Sequence, residues 1–340
     1  MTVFLYDRGG VPLEDLLAKA WEARGRNFPS VIRFDYPNRT LSVTTTGREC
    51  GLNCAHCGGH YLEAMTPIEE ALRAAQEGAG ARVSDGGEED TTVASGAGAA
   101  VTTTATAEAS GAAAGKGPSR EPTSYLISGG CTRVGTVPFK KWLPAIEALK
   151  TAGKLNFHVG LVDEEDAQIV GRLADSVSFD MVGDDATIHE VFGLKDRTVG
   201  DYVNSYRALR RHTKVLPHIC LGLRGGIWSG EEQALQILQQ EGLDGLVFIV
   251  FIPTPGTRYA DRRPLPVEEV ASFLAQARVQ FPDKPIFLGC MRPGGSYRQK
   301  VDQLAVRAGL NALVQPARPA VNLAAELGLK IERGEECCVL

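Results

Sequence analysis

The chain has 340 residues, with 36 Lys and Arg against 41 Asp and Glu, a net charge of −5 that offers no basic field to nucleic acid or an acidic membrane. Its longest clean apolar run, 246–252, has seven residues, too few to span a membrane. The first residues lack a signal peptide's basic start and long apolar stretch, so the expectation is a cytoplasmic globular protein.

Residues 1–40 read as an N-terminal helical extension, with its helix over 12–24. From 41 onward, short β-rich runs alternate with helical patterns. The expected strands are 41–46, 124–128, 155–160, 177–182, 215–221, 246–252, 286–290 and 312–314. Between them lie helical stretches near 66–78, 138–151, 163–174, 200–211, 230–241, 266–280, 297–308 and 319–327. Such alternation implies βαβ units and a parallel sheet. Eight units suggest a (β/α)8 TIM-type barrel over 41–328, with its active site where the C-terminal ends of the strands open. One segment breaks the pattern: of the 36 residues over 84–119, 27 are Ala, Gly, Ser or Thr, and none is Leu, Ile or aromatic. It cannot bury enough apolar surface to offset its ordering entropy and is expected to be a disordered insert. Residues 329–340 form a tail that carries two cysteines.

Eight cysteines in an intracellular chain of this size speak for metal binding or catalysis rather than a disulfide scaffold. Cys50, Cys54 and Cys57 form a C-x3-C-x2-C cluster directly after the first expected strand. Three thiolates this close can hold three corners of a cubane iron–sulfur cluster and leave one iron open. Thiolates also select zinc, so spacing alone leaves a structural zinc or plain buried thiols as alternatives. No fourth ligand stands at zinc-finger spacing; His56 and His60 lie within or just after the loop.

This cluster resembles the signature of the radical S-adenosylmethionine (radical SAM) superfamily, with His56 in place of the usual aromatic residue before the third cysteine. The resemblance implies a [4Fe–4S] cluster whose open iron chelates the amino and carboxylate groups of SAM. Reductive cleavage then gives methionine and a 5′-deoxyadenosyl radical that abstracts hydrogen from an unactivated C–H bond. Further positions carry the likeness. Ser128-Gly-Gly-Cys131 ends the second expected strand, where the family often has Gly-Gly-Glu on the SAM amino group, so Gly129 and Gly130 match and Cys131 replaces Glu. Asp180 and Asp184 stand where polar ribose contacts are common. The glycine-rich stretch from Gly225 to Glu231 resembles the segment near the adenine. Pro255 and Gly256 belong to a Pro-Gly-Thr turn like that of biotin-synthase-like members.

The remaining cysteines point to a branch. Cys131 and Cys290 end expected strands, and the tail, with Cys337 and Cys338, is expected to fold back over the same mouth, so these four are candidates for an auxiliary cluster. Cys220 lies within a strand and reads as packing. The stretches 44–50, 53–61, 128–131 and 289–298 resemble the two-protein lipoyl synthase group. Arg292 and Arg298 in the last of these are candidates to bind a carboxylate or to stabilise a cluster, although Arg at a strand end is more often an ion pair. The implied activity is sulfur insertion into an octanoyl C–H bond on an acylated carrier protein. A sister radical SAM protein and an electron donor such as flavodoxin or ferredoxin are the implied partners. A biotin-synthase-like rearrangement or methylation on a small molecule is the alternative within enzymes. An iron–sulfur electron carrier or zinc scaffold is the alternative outside them.

Overall fold

The computed structural model describes residues 11–84 and 121–340. The first ten residues, and the expected insert apart from Ser84, lie outside the described residues. In chain order the strands are β1 (Val31–Asp35), β2 (Thr40–Thr44), β3 (Thr66–Pro67), β4 (Ser124–Ser128), β5 (Lys154–Phe157), β6 (Ser176–Asp180), β7 (Val215–Leu221), β8 (Leu246–Val250), β9 (Ile286–Leu288), β10 (Ala312–Val314) and β11 (Lys330–Gly334). The helices are α1 (Leu13–Asn27), α2 (Ile68–Ser84), α3 (Leu143–Ala152), α4 (Glu164–Leu173), α5 (Asp185–Thr187), α6 (Val199–Arg210), α7 (Glu231–Glu241), α8 (Val267–Gln280), α9 (Gly295–Arg307) and α10 (Arg318–Glu326).

All eight expected strands form, as do the expected helices. Local chemistry marks their starts. Asp163 accepts the backbone N–H of Asp166 at 2.8 Å to cap α4. Thr198 and Asp201 cap α6 reciprocally. Three strands were not expected: β1, β3 and β11. β1 falls within the stretch expected as a helical extension, and β11 within the expected tail.

The strands run in the order β11-β1-β10-β9-β8-β7-β6-β5-β4-β2-β3, every neighbouring pair parallel. Only four residues separate β1 from β2, yet these strands lie near opposite ends of that order. A link this short spans at most about 18 Å, so the sheet must curl until β1 and β2 come within that reach. Hydrogen bonds cross the seam: Arg39 N–H to the Glu335 carbonyl at 3.0 Å, and Cys337 N–H to Thr40 Oγ1 at 2.8 Å. The result is an α/β barrel of TIM type.

Successive strand residues face opposite ways. Ile32, Phe34, Leu41, Val43, Tyr125, Ile127, Leu155, Phe157, Val177 and Phe179 join one large buried core, which also takes in helix residues such as Leu17, Ile146 and Val170. The alternate residues face the lumen, and they divide into two kinds. From β1 to β6 most are polar, among them Arg33, Asp35, Asn156, Ser178 and Asp180, with Val31 and Leu126 the apolar ones. From β7 to β10, Leu216, Val247, Ile249, Phe287 and Val314 make an apolar wall.

That wall has a cover. Cys338 and Val339 pack on it, with Cys337 and Leu340 beside them. Thr123 and Lys154 hold Glu336 at 2.8 and 2.6 Å, at the N-terminal ends of β4 and β5. The Arg33 guanidinium donates to the Cys338 carbonyl at 2.7 Å. The tail therefore enters at the seam and floors the barrel. It turns into the barrel there instead of folding back over the mouth, as the sequence had suggested, because the apolar wall it covers faces the lumen.

Candidate metal and cofactor site

The chain leaves β2 at the C-terminal mouth of the barrel and turns at once: the Thr44 hydroxyl donates to the Gly47 carbonyl at 2.9 Å. The loop that follows carries Cys50, Cys54 and Cys57. The Cys54 carbonyl accepts the N–H groups of Cys57 at 3.3 Å and Gly58 at 3.0 Å, a tight turn that gathers the second and third cysteines. Buried Ala55 anchors the loop, donating to the Val191 carbonyl at 2.7 Å and accepting from Tyr259 N–H at 3.0 Å. Cys54 is buried; Cys50 and Cys57 are half-buried.

The thiols act on one another. A hydrogen bond from the Cys54 thiol, helped by the Gly59 N–H at 3.5 Å, brings Cys57 down to about 7. The same bond, burial and the charges of Cys57, Cys131 and Cys50 push Cys54 far up. Part of this set therefore ionises near neutrality, as a thiolate ligand set requires. Among the described residues, no three His, Cys, Asp or Glu side chains converge on a point for a single metal ion. Thiolates that each hold a different iron of a cubane need no such convergence, so the donor set fits a cluster of that kind.

The turn after β4 supports this loop from beneath. Gly130 fits only as glycine: a Cβ there would stand 2.0 Å from the Glu49 carbonyl and 2.7 Å from Cys50 Cα. Gly129 is wedged beside the Thr45 and Thr46 hydroxyls, and the Gly130 N–H donates to Thr46 Oγ1 at 2.7 Å. Cys131 comes next. Its carbonyl accepts Gly51 N–H at 2.6 Å and faces the Cys50 sulfur at 3.8 Å. Burial and the charges of Cys50, Asp180 and Cys57 push the Cys131 thiol up to about 12.

Pro255 and Gly256 sit in the loop after β8, which leans on the cysteine loop. The Thr257 hydroxyl donates to the Thr254 carbonyl at 2.7 Å, and Thr254 Oγ1 lies 3.3 Å from the Tyr61 hydroxyl. Asp180 ends β6 and faces the lumen. Asp184 and Glu231 are engaged in the frame: Asp184 Oδ1 caps α5 through Thr187 N–H at 2.7 Å, while its Oδ2 is buried without a partner. Buried Glu231 accepts from Gly222 N–H at 2.9 Å and Ser229 N–H at 2.7 Å, and so holds the glycine-rich loop in shape.

Beneath the cysteine loop the lumen carries a polar array that sequence reasoning passed over. Asp180 Oδ2 lies 3.2 Å from His158 Nε2, both side chains partly open to the lumen. Burial works to raise Asp180, but His158, with His218 and His56 further off, holds it at about 2. Asn156 and Ser178 bond side chain to side chain at 3.0 Å. Burial lowers His56 and His218 to about 4. The signal was present as polar residues at alternate positions of apolar strands: 156 and 158, 178 and 180, 218 and 220.

The later cysteines divide. Cys131 belongs with the mouth loop. Cys337 lies lower, where Asn156 Nδ2 approaches its sulfur at 3.7 Å, and its charge reaches Cys290. The Arg292 side chain is fully buried in an ion pair with Asp302, at 2.6 and 2.9 Å, and so is closed off from the lumen. Arg298 reaches the Val314 carbonyl at 3.4 Å and the Cys290 carbonyl at 3.5 Å.

No protein-family model and no curated protein matches the chain. Solved structures do. Methylornithine synthase (PylB) superposes with a TM-score of 0.59 at 14% identity, over 97% of this chain and 91% of that one. The FeFe-hydrogenase maturase HydG from Carboxydothermus hydrogenoformans gives a TM-score of 0.62 at 13% identity, over 94% of this chain and 72% of that one. At these identities the likeness is one of fold.

Proposed function

We propose that this chain is a radical SAM enzyme in which Cys50, Cys54 and Cys57 hold a [4Fe–4S] cluster at the barrel mouth. The observation that carries this reading is the mouth loop itself: three mutually interacting thiols, one near neutrality, pressed onto a Gly-Gly turn with no room for a side chain. When bound, the cluster supplies the electron that cleaves SAM and generates the carbon radical. The protein's own residues position and seclude. Gly129 and Gly130 let the β4 turn approach the cluster loop, and Pro255 and Gly256 wall it from the far side. Asp180, fixed by His158, offers a carboxylate toward the ribose.

The finer reading is sulfur insertion into an acyl C–H bond, lipoyl synthase-like. Cys290 and the floor thiols Cys337 and Cys338 are then the auxiliary ligand set, and an acylated carrier protein, a sister radical SAM protein and a flavodoxin or ferredoxin are the partners. One observation favours a second reading. The lumen wall at β5 and β6 is polar, with Asn156, His158, Ser178 and Asp180 facing inward. A polar small molecule undergoing rearrangement or methylation suits that wall better than a bare alkyl chain does.

Anaerobic reconstitution tests both. A four-iron cluster that is lost in Cys54→Ala, with 5′-deoxyadenosine formed on reduction, is expected; no 5′-deoxyadenosine with any reductant overturns the enzyme reading. A second cluster that is lost in Cys337→Ala/Cys338→Ala, together with thiolation of an octanoylated peptide in the presence of the sister protein, selects sulfur insertion. A single cluster selects the alternative.

A further inference from the structure

Cys131 occupies an unusual place for a fourth thiol. It ends the β4 turn, and its main chain is joined to the cysteine loop rather than merely close to it. The Gly51 N–H donates to its carbonyl at 2.6 Å, and the Cys50 sulfur lies 3.8 Å from the same oxygen. Gly130, its predecessor, packs so close to the cysteine loop that a Cβ there would stand 2.0 Å from the Glu49 carbonyl oxygen and 2.8 Å from Cys50 Cβ. On the other side the Cys131 sulfur borders Gly160, where a Cβ would stand in ordinary contact with it at 3.7 Å. The other late thiols sit elsewhere: Cys337 and Cys338 at the floor, and Cys290 at the end of β9, on the wall that faces them.

Three thiolates on one loop leave one iron of a cubane without a protein ligand. We propose that Cys131 is the ligand of that fourth iron when SAM is absent, and that SAM binds by displacing it. This rests on the radical SAM reading above and adds to it a resting state closed by four thiolates. The exchange balances without redox change. The bond from iron to the Cys131 sulfur breaks, and bonds from the same iron to the SAM amino nitrogen and carboxylate oxygen form. The proton that the SAM ammonium releases passes to the freed thiolate. A closed cluster keeps its fourth iron from oxidants, at the expense of a weaker apparent affinity for SAM.

The test uses the full chain, reconstituted anaerobically without SAM and then treated with one equivalent of ferricyanide per cluster. Wild type and Cys220→Ala are expected to keep a four-iron cluster. Cys131→Ala is expected to lose the open iron and show the electron paramagnetic resonance signal of a three-iron cluster. SAM, titrated by its perturbation of the reduced-cluster spectrum, should bind Cys131→Ala about tenfold more tightly, because no competing thiolate must leave. Equal three-iron signals and equal SAM affinities in wild type and Cys131→Ala overturn the proposal. Should neither Cys131→Ala nor Cys131→Ser assemble a cluster while keeping wild-type circular dichroism, Cys131 is an obligatory ligand and displacement by SAM is overturned. A wild-type chain that assembles no four-iron cluster, or a cluster that persists in Cys54→Ala, refutes the underlying reading instead.

Discussion

Asp180 and His158 show what a single pair contributes at the lumen surface. Burial alone would drive His158 toward neutrality, but the Asp180 carboxylate at 3.2 Å, with a smaller effect from Cys337, raises it above its ordinary 6.5. A histidine raised in the folded state stabilises fully below its unfolded value, and this contribution disappears as pH rises through the folded value. The proton resonances of His158 should therefore titrate above 6.5 in wild type and below it in Asp180→Asn, where burial is opposed only by the smaller effect of Cys337. The stability difference between the two proteins, followed by denaturant titration from about pH 5 to 9, should shrink as pH rises. A His158 midpoint unchanged by the substitution would show that the pair is not formed. The positions of these polar residues could be read from strand periodicity; their pairing could not, since it depends on β5 and β6 lying side by side in register.

At the scale of elements, Arg292 binds three of them together. Its guanidinium holds Asp302 of α9 at 2.6 and 2.9 Å, and it donates to the Gly289 carbonyl beyond β9 and the Val314 carbonyl of β10. Asp302 in turn accepts the Ala317 N–H at 2.8 Å, just ahead of α10. Arg292→Met leaves the Asp302 carboxylate buried without its partner and should cost about 3–5 kcal/mol by chemical denaturation. The double change Arg292→Met/Asp302→Leu, which removes both charges, should recover most of that loss. A single variant as stable as wild type would mean that the pair is dispensable. From sequence, Arg292 looked like a mouth residue because it follows a strand end. Its burial depends on how α9 packs back, and no local pattern carries that information. β11 escaped for a related reason. Four of its five residues, Lys330, Glu332, Arg333 and Gly334, are not hydrophobic, and it joins the sheet through backbone pairing with β1.

Over the whole molecule, the two ends of the described chain meet. β1 lies between β10 and β11, and the tail then crosses the barrel to the apolar wall of β7 to β10. Val339 is 1% exposed. Val339→Ala should cost about 2 kcal/mol, since it opens a gap against Leu216 and Val247 that the stiff barrel cannot close. A loss under about 0.5 kcal/mol would mean that the tail is not seated there.

The sequence by itself determined the alternation of eight strands and helices, and with it the barrel. It also determined the three-thiol loop at the mouth, because apolar periodicity and ligand spacing are local properties of the chain. Tertiary structure decided the rest. Cys131 joined the mouth loop while Cys337 and Cys338 went to the floor, and Glu231 and Arg292 turned into the frame. Each of those outcomes depends on which surface a distant segment can cover: the tail follows the apolar wall, and that wall exists only once β7 to β10 stand side by side.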